Sequence, residues 1–142
     1  MMATAADAEL ILKLYEMRRE ETLRKGRRFL VFEFQPTTLE ELRAISRDVK
    51  SEHNPAWRQV LSYWEMAASL VLRGALDPDL FLDSNKEGIL LYAKFHHFHA
   101  ETEKQSGNRF MAHTAAMIDA YPAAKASYES FLKSFGVRKA SA

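Results

Sequence analysis

The chain contains no cysteine, which removes disulfides, thiolate chemistry and zinc–cysteine sites together. Glycine and proline are scarce, at five and four in 142 residues. The glycines never approach the spacing of a phosphate-cradling loop such as GxGxxG. An excess of one charge is missing too. Twenty Lys and Arg stand against 19 Asp and Glu, a net of +1, so nothing pulls the chain as a whole toward nucleic acid or an acidic surface. Long apolar runs are also absent. Met66–Ala68 and Leu70–Leu72, split by Ser69, fall far short of the roughly 20 residues a membrane helix needs, so no membrane partner is expected. The opening MMATAADAEL has no basic region followed by an apolar block, so no secretion signal is expected. With the missing cysteines this favours a cytoplasmic location.

Apolar residues make up 47% of the chain and charged ones 27%, the balance of a globular protein with a core. Nine Phe, five Tyr and two Trp make that core bulky and irregular. Its centre is legible in WRQVLSYWEMAASLVLRGALDPDLFL, residues 57–82, where Trp57, Val60, Leu61, Trp64, Ala67, Ala68 and Val71 recur at helical spacing. Asn54 and Pro55 are expected to open this helix, Gly74 to end it, and Asp77-Pro78 to start a short one. Upstream, Thr4 with Asp7 predicts a cap for a long first helix reaching Phe34, with Leu23, Gly26, Leu30 and Phe34 on one stripe. Gly26 on that stripe marks a kink or a close approach by another helix. The apolar content of Phe29–Phe34 also fits a short strand, but only one paired with a second copy of the chain. Gln35-Pro36 stops the helix, Thr38 with Glu41 predicts a capping box for a short one, and Ser84 with Glu87 predicts another. That last helix is expected to carry Leu91, Phe95 and Phe98 and to run to about Glu103. Two more follow the Ser106-Gly107-Asn108 break, the final one capped by Gly136. The expected fold is all-α: a compact irregular bundle of about five main helices plus one or two short ones, one domain over 1–136 and a short tail over 137–142.

LYEMRREETLRKGRRFLVFEF at 14–34, QPTTLEEL after it, and YWEMAASLVLRGALDPDLF at 63–81 carry a family resemblance. Together they resemble a family of short bacterial helical proteins classed as a domain of unknown function. The YWEMAASLV, GALD and following Phe are its more specific part, and the likeness thins after Gly107. The resemblance implies an all-helical domain and supports a helical Phe29–Phe34; it implies no reaction, ligand or catalytic residue.

Three clusters bear chemistry. In KFHHFHAETEK, His96, His99 and Glu103 share a helix face, a donor set for zinc or non-haem iron if a neighbouring helix adds a ligand. The plainer reading buries Leu91, Phe95 and Phe98 and leaves the histidines at the edges. Glu65, with Arg58, Ser62 and Ser69, forms a narrow polar stripe on the central helix. If it faces water, the stripe is simply the wet side of an amphipathic helix; if buried, Glu65 is expected to pair with an arginine of the first helix. The third is the basic run Arg18, Arg19, Arg24, Lys25, Arg27 and Arg28, interleaved with Glu16, Glu20 and Glu21. One-turn spacing of opposite charges suits intrahelical pairs, so nucleic-acid binding through this helix is the weakest reading.

No catalytic motif stands out, so the leading expectation is a non-enzymatic interaction domain that self-associates as a homodimer. Phe29, Leu30, Phe32 and Phe34, with Val31, point around more of a helix than one small core covers, and they are its expected interface. No cofactor is assigned, and the alternative is a bundle that binds a metal or a small molecule through His96, His99 and Glu103.

Overall fold

A computed structural model describes residues 2–137; the expected tail, beyond Val137, lies outside the described residues. Among the described residues there are nine α-helices and no strand. They are α1 (Ala5–Arg18), α2 (Glu21–Arg28), α3 (Leu39–Ser46), α4 (Asn54–Leu72), α5 (Pro78–Ser84), α6 (Glu87–Lys94), α7 (His99–Ser106), α8 (Ala112–Ala120) and α9 (Pro122–Ser134). A π-helical turn, Phe29–Glu33, continues α2, and a 3-10 turn, His96–Phe98, joins α6 to α7.

The centre is α4, as its spacing predicts. Trp57, Val60, Trp64, Ala67, Ala68 and Val71 are buried along it, and Tyr63 is buried where Leu61 was expected, Leu61 being only partly covered. Two glycines let other helices press on it. A Cβ added at Gly26 of α2 would lie 3.1 Å from Val60 Cγ2 and 3.3 Å from Ala56 Cβ. One added at Gly88 of α6 would lie 3.0 Å from Trp64 Cβ. Gly26 therefore marks a close approach rather than a kink. Helices α3 and α8 also pack on α4, and α9 closes the bundle over α6 and α8. Between them lies an aromatic knot in which the rings of Trp57 and Phe95 stand 5.4 Å apart and Phe34 and Phe110 pack on both.

Several ends form as the residues dictate. Thr4 and Asp7 make a full capping box at α1. Gly74, at φ 79°, ends α4 with Ala75 N–H donating to Leu70 O at 3.0 Å and Gly74 N–H to Val71 O at 3.1 Å. Asp77 caps α5, and Gly107 and Gly136 take left-handed conformations.

Four expectations are corrected. The first helix is two: Glu20 leaves helical geometry and accepts from Thr22 N–H and Leu23 N–H at 3.0 and 2.9 Å, a cap made by a residue not usually read as a breaker. Asn54 does not cap α4. Its amide reaches back to Ile45 O at 2.7 Å and so holds the carbonyl end of α3. Ser84 and Glu87 form no capping box, because the Glu87 carboxylate is drawn to Arg27 and Trp64. The helix expected to run to Glu103 breaks at Phe95, whose burial in the aromatic knot turns the chain before α7.

Candidate functional site

The stretch expected to form an interface sits on the π turn. Phe34 N–H donates to Phe29 O at 2.8 Å, five residues back, which widens the last turn before Gln35-Pro36. The wide turn separates the apolar residues. Leu30 is fully buried and Phe34 is 9% exposed in the aromatic knot. Phe29 stacks on Phe34 at 5.5 Å and on His53 at 3.9 Å. Phe32 alone of the four points outward, at 74% exposure. The expected apolar surplus is therefore mostly absorbed by the chain's own core. From behind, the ammonium of Lys94 in α6 donates to Leu30 O at 2.6 Å and Val31 O at 3.2 Å, and burial pulls its pKa down to about 8.

Beside Phe32 lies an open groove of about 460 Å³ lined by Arg24, Arg27, Arg28, Phe32, Glu33 and Glu87. Its floor is an ion pair. Arg27 Nε and Nη2 donate to the two oxygens of Glu87 at 2.7 and 3.1 Å, and Trp64 Nε1 donates to the same carboxylate at 2.9 Å. Its rim is looser: Arg28 stands 3.8 Å from Glu33, both exposed. The Arg24 guanidinium makes no hydrogen bond or ion pair among the described residues. The remaining basic residues are largely engaged. Lys25 pairs with Glu21 at 2.9 Å, and Arg18 donates to Asn85 Oδ1 at 3.0 Å.

The histidine cluster is not assembled as a set of ligands. His96 Nδ1 lies 2.9 Å from Ala93 O, and Glu103 accepts from Phe110 N–H at 3.2 Å. His99 packs its ring on Tyr92 and Phe110, with Nε2 buried and without a hydrogen-bond partner. Among the described residues no group of three or more His, Asp or Glu could hold a metal ion.

Burial instead makes His99 sensitive to acid, holding it near 4 against an ordinary 6.5. As pH falls the unfolded chain binds the proton first, so the contribution of neutral His99 is complete above about 6.5 and drains away toward 4. With allowance for a partly exposed ring, about 2 kcal/mol is expected to be lost over that window. Urea midpoints at pH 7.5 and 4.5 check this. His99→Phe is expected to show a smaller drop than the wild type, and equal drops would refute the assignment.

Glu65 is part-buried, and its partner is no arginine. It accepts from His113 N–H at 3.0 Å, Thr114 N–H at 2.8 Å and Thr114 Oγ1 at 2.6 Å, at the start of α8. Arg58 is exposed. Sequence reading missed Lys94 and the joining of Arg27 to Glu87, because each partner lies about 60 residues away. No short-range signal marks such pairs.

No helix among the described residues is long and apolar enough to cross a membrane. No curated protein and no solved structure matches the chain. The family described as Domain of unknown function (DUF4760) matches residues 3–121, from the cap of α1 through the whole of α8 and well past Gly107. With that much of its length matched, the chain belongs to this family.

Proposed function

We propose that the chain is a non-enzymatic interaction domain that pairs with a second copy of itself through the face around Phe32. The observation that carries this is an aromatic residue 74% exposed beside a groove whose lining holds both signs of charge, Arg24 and Arg28 with Glu33. A two-fold contact brings a patch against itself, so it favours a patch bearing both signs of charge around an apolar centre. An arginine of one copy then meets Glu33 of the other. The groove favours binding over catalysis. Guanidinium groups stay charged and cannot move protons, and Glu87 is already occupied by Arg27 and Trp64.

Light scattering across micromolar to submillimolar concentrations tests this. The wild type is expected to rise from 16.3 kDa toward twice that mass, while Phe32→Ser stays at the lower value with unchanged circular dichroism. A wild type that remains at 16.3 kDa throughout removes the reading.

A further inference from the structure

The exposed ring depends on a backbone geometry that an ordinary helix would not supply. In an α-helix Phe34 N–H would bond to Leu30 O, but here it is committed to Phe29 O. Leu30 O and Val31 O are thus left at a helix end, just before a proline that has no N–H to offer. Phe32 O receives only Gln35 Nε2, at 3.5 Å. One group answers both orphaned carbonyls: the Lys94 ammonium, at 2.6 and 3.2 Å, reaching across from α6. Closing the wide turn to an α-helical one would advance the following residues by about 100° around the axis. That rotation would carry Phe34 away from Trp57 and Phe95 and change where Phe32 points.

We infer that Lys94 is the positioning residue of the Phe32 face, its ammonium holding the carbonyls of the π turn in the geometry that presents the ring. This rests on the reading of that face as the binding face. It adds a control point remote from the contact itself, since Lys94 is not among the residues lining the groove. A change that removes the charge or the donors of this one amine would act on pairing without touching the surface that pairs. The amine is suited to such a role. It is half-buried, and burial already lowers its pKa to about 8, so its hold on the proton is weaker than that of a surface lysine.

Hydrogen exchange at the amides of residues 30–35, read with the dissociation constant of the dimer, tests this in Lys94→Met and Lys94→Arg. Methionine keeps the stem and loses the donors, whereas arginine keeps charge and donors. In Lys94→Met, exchange at the Phe34 amide is expected to quicken about tenfold and the dimer to weaken by a similar factor, the scale of one charge-assisted hydrogen bond. The helical signal should stay constant, and Lys94→Arg should sit near the wild type. Protection at Phe34 within twofold of the wild type in Lys94→Met overturns the inference. If the wild type proves monomeric, the reading of the face fails, while the exchange comparison still decides the role of Lys94. Should Lys94→Met not fold, Lys94→Gln, which keeps a donor on a shorter stem, carries the same comparison.

Discussion

Replacing Glu87 with alanine is expected to cost about 3–5 kcal/mol of folding free energy, the range for breaking a buried charge pair from one side. The side chains of Arg27 and Glu87 are 23% and 18% exposed, so both charges are largely withdrawn from water. The carboxylate satisfies three donors, Nε and Nη2 of Arg27 and Nε1 of Trp64. Alanine strands a guanidinium and an indole N–H at once, where three helices meet. Arg27 belongs to α2, Trp64 to α4 and Glu87 to the first turn of α6, so the lost contact loosens all three. Glu87→Gln keeps acceptor oxygen for Trp64 but no charge for Arg27, and is expected to lose roughly half as much. The double change Arg27→Met, Glu87→Leu removes the stranded groups together and should recover most of the loss. Urea unfolding followed by tryptophan fluorescence gives all four stabilities. A loss below about 1 kcal/mol in Glu87→Ala would show the pair behaving as an exposed one, and the floor of the groove would need another explanation.

The same residues show why part of this molecule was legible in the sequence and part was not. Periodicity found α4 because burial there follows the turn of a single helix, and Trp57, Val60, Trp64 and Ala68 need no knowledge of what covers them. Ends closed by their own neighbours were equally readable: Thr4 with Asp7, Gly74 with Val71, Asp77 with Leu80. What failed were residues with two possible uses. Asn54 has the side chain of a cap, but the carbonyls of α3 lay in its reach and claimed it. Glu87 stands three residues after Ser84, as a capping box requires, yet Arg27 offers a full charge at 2.7 Å. The stronger, charge-assisted bond wins. Glu20 shows the converse, a long side chain curling back to cap α2 in a run that looked continuous.

The candidate site was half legible for a related reason. The apolar content of Phe29–Phe34 stands out in the sequence, but an α-helical count spreads those residues evenly around the axis. The π turn instead places Leu30 and Phe34 inward and leaves Phe32 outside. That turn is completed by Lys94, which sequence spacing cannot connect to it. In KFHHFHAETEK the spacing was right for one continuous helix, but the break at Phe95 and the separate partners of His96 and Glu103 divide the set.

Glu65→Ala is expected to destabilise the protein by about 2–4 kcal/mol, through a helix that does not contain it. Helix α8 begins at Ala112, behind Met111 at φ 45°, and nothing in its own approach caps it. The second and third residues of that helix, His113 and Thr114, offer the two N–H groups that an N-cap side chain normally receives. Glu65 receives them instead, 48 and 49 residues back in the chain, and takes the Thr114 hydroxyl at 2.6 Å as well. Its negative charge also faces the positive end of the helix dipole. A local cap is worth about 1 kcal/mol, and a charged, part-buried acceptor of three bonds should exceed it. Two variants separate the contributions. Glu65→Gln keeps acceptor oxygen and loses charge, so a loss of about 1 kcal/mol is expected from the dipole interaction and the weaker bonds. Thr114→Val removes only the hydroxyl, with a loss of about 1 kcal/mol. Because α8 packs between α4 and α9, hydrogen exchange in Glu65→Ala should quicken first at His113 and Thr114 and then through α8, while α1 and α2 keep their protection. Exchange that quickens equally in every helix would mean that Glu65 supports the bundle in some way other than by starting α8.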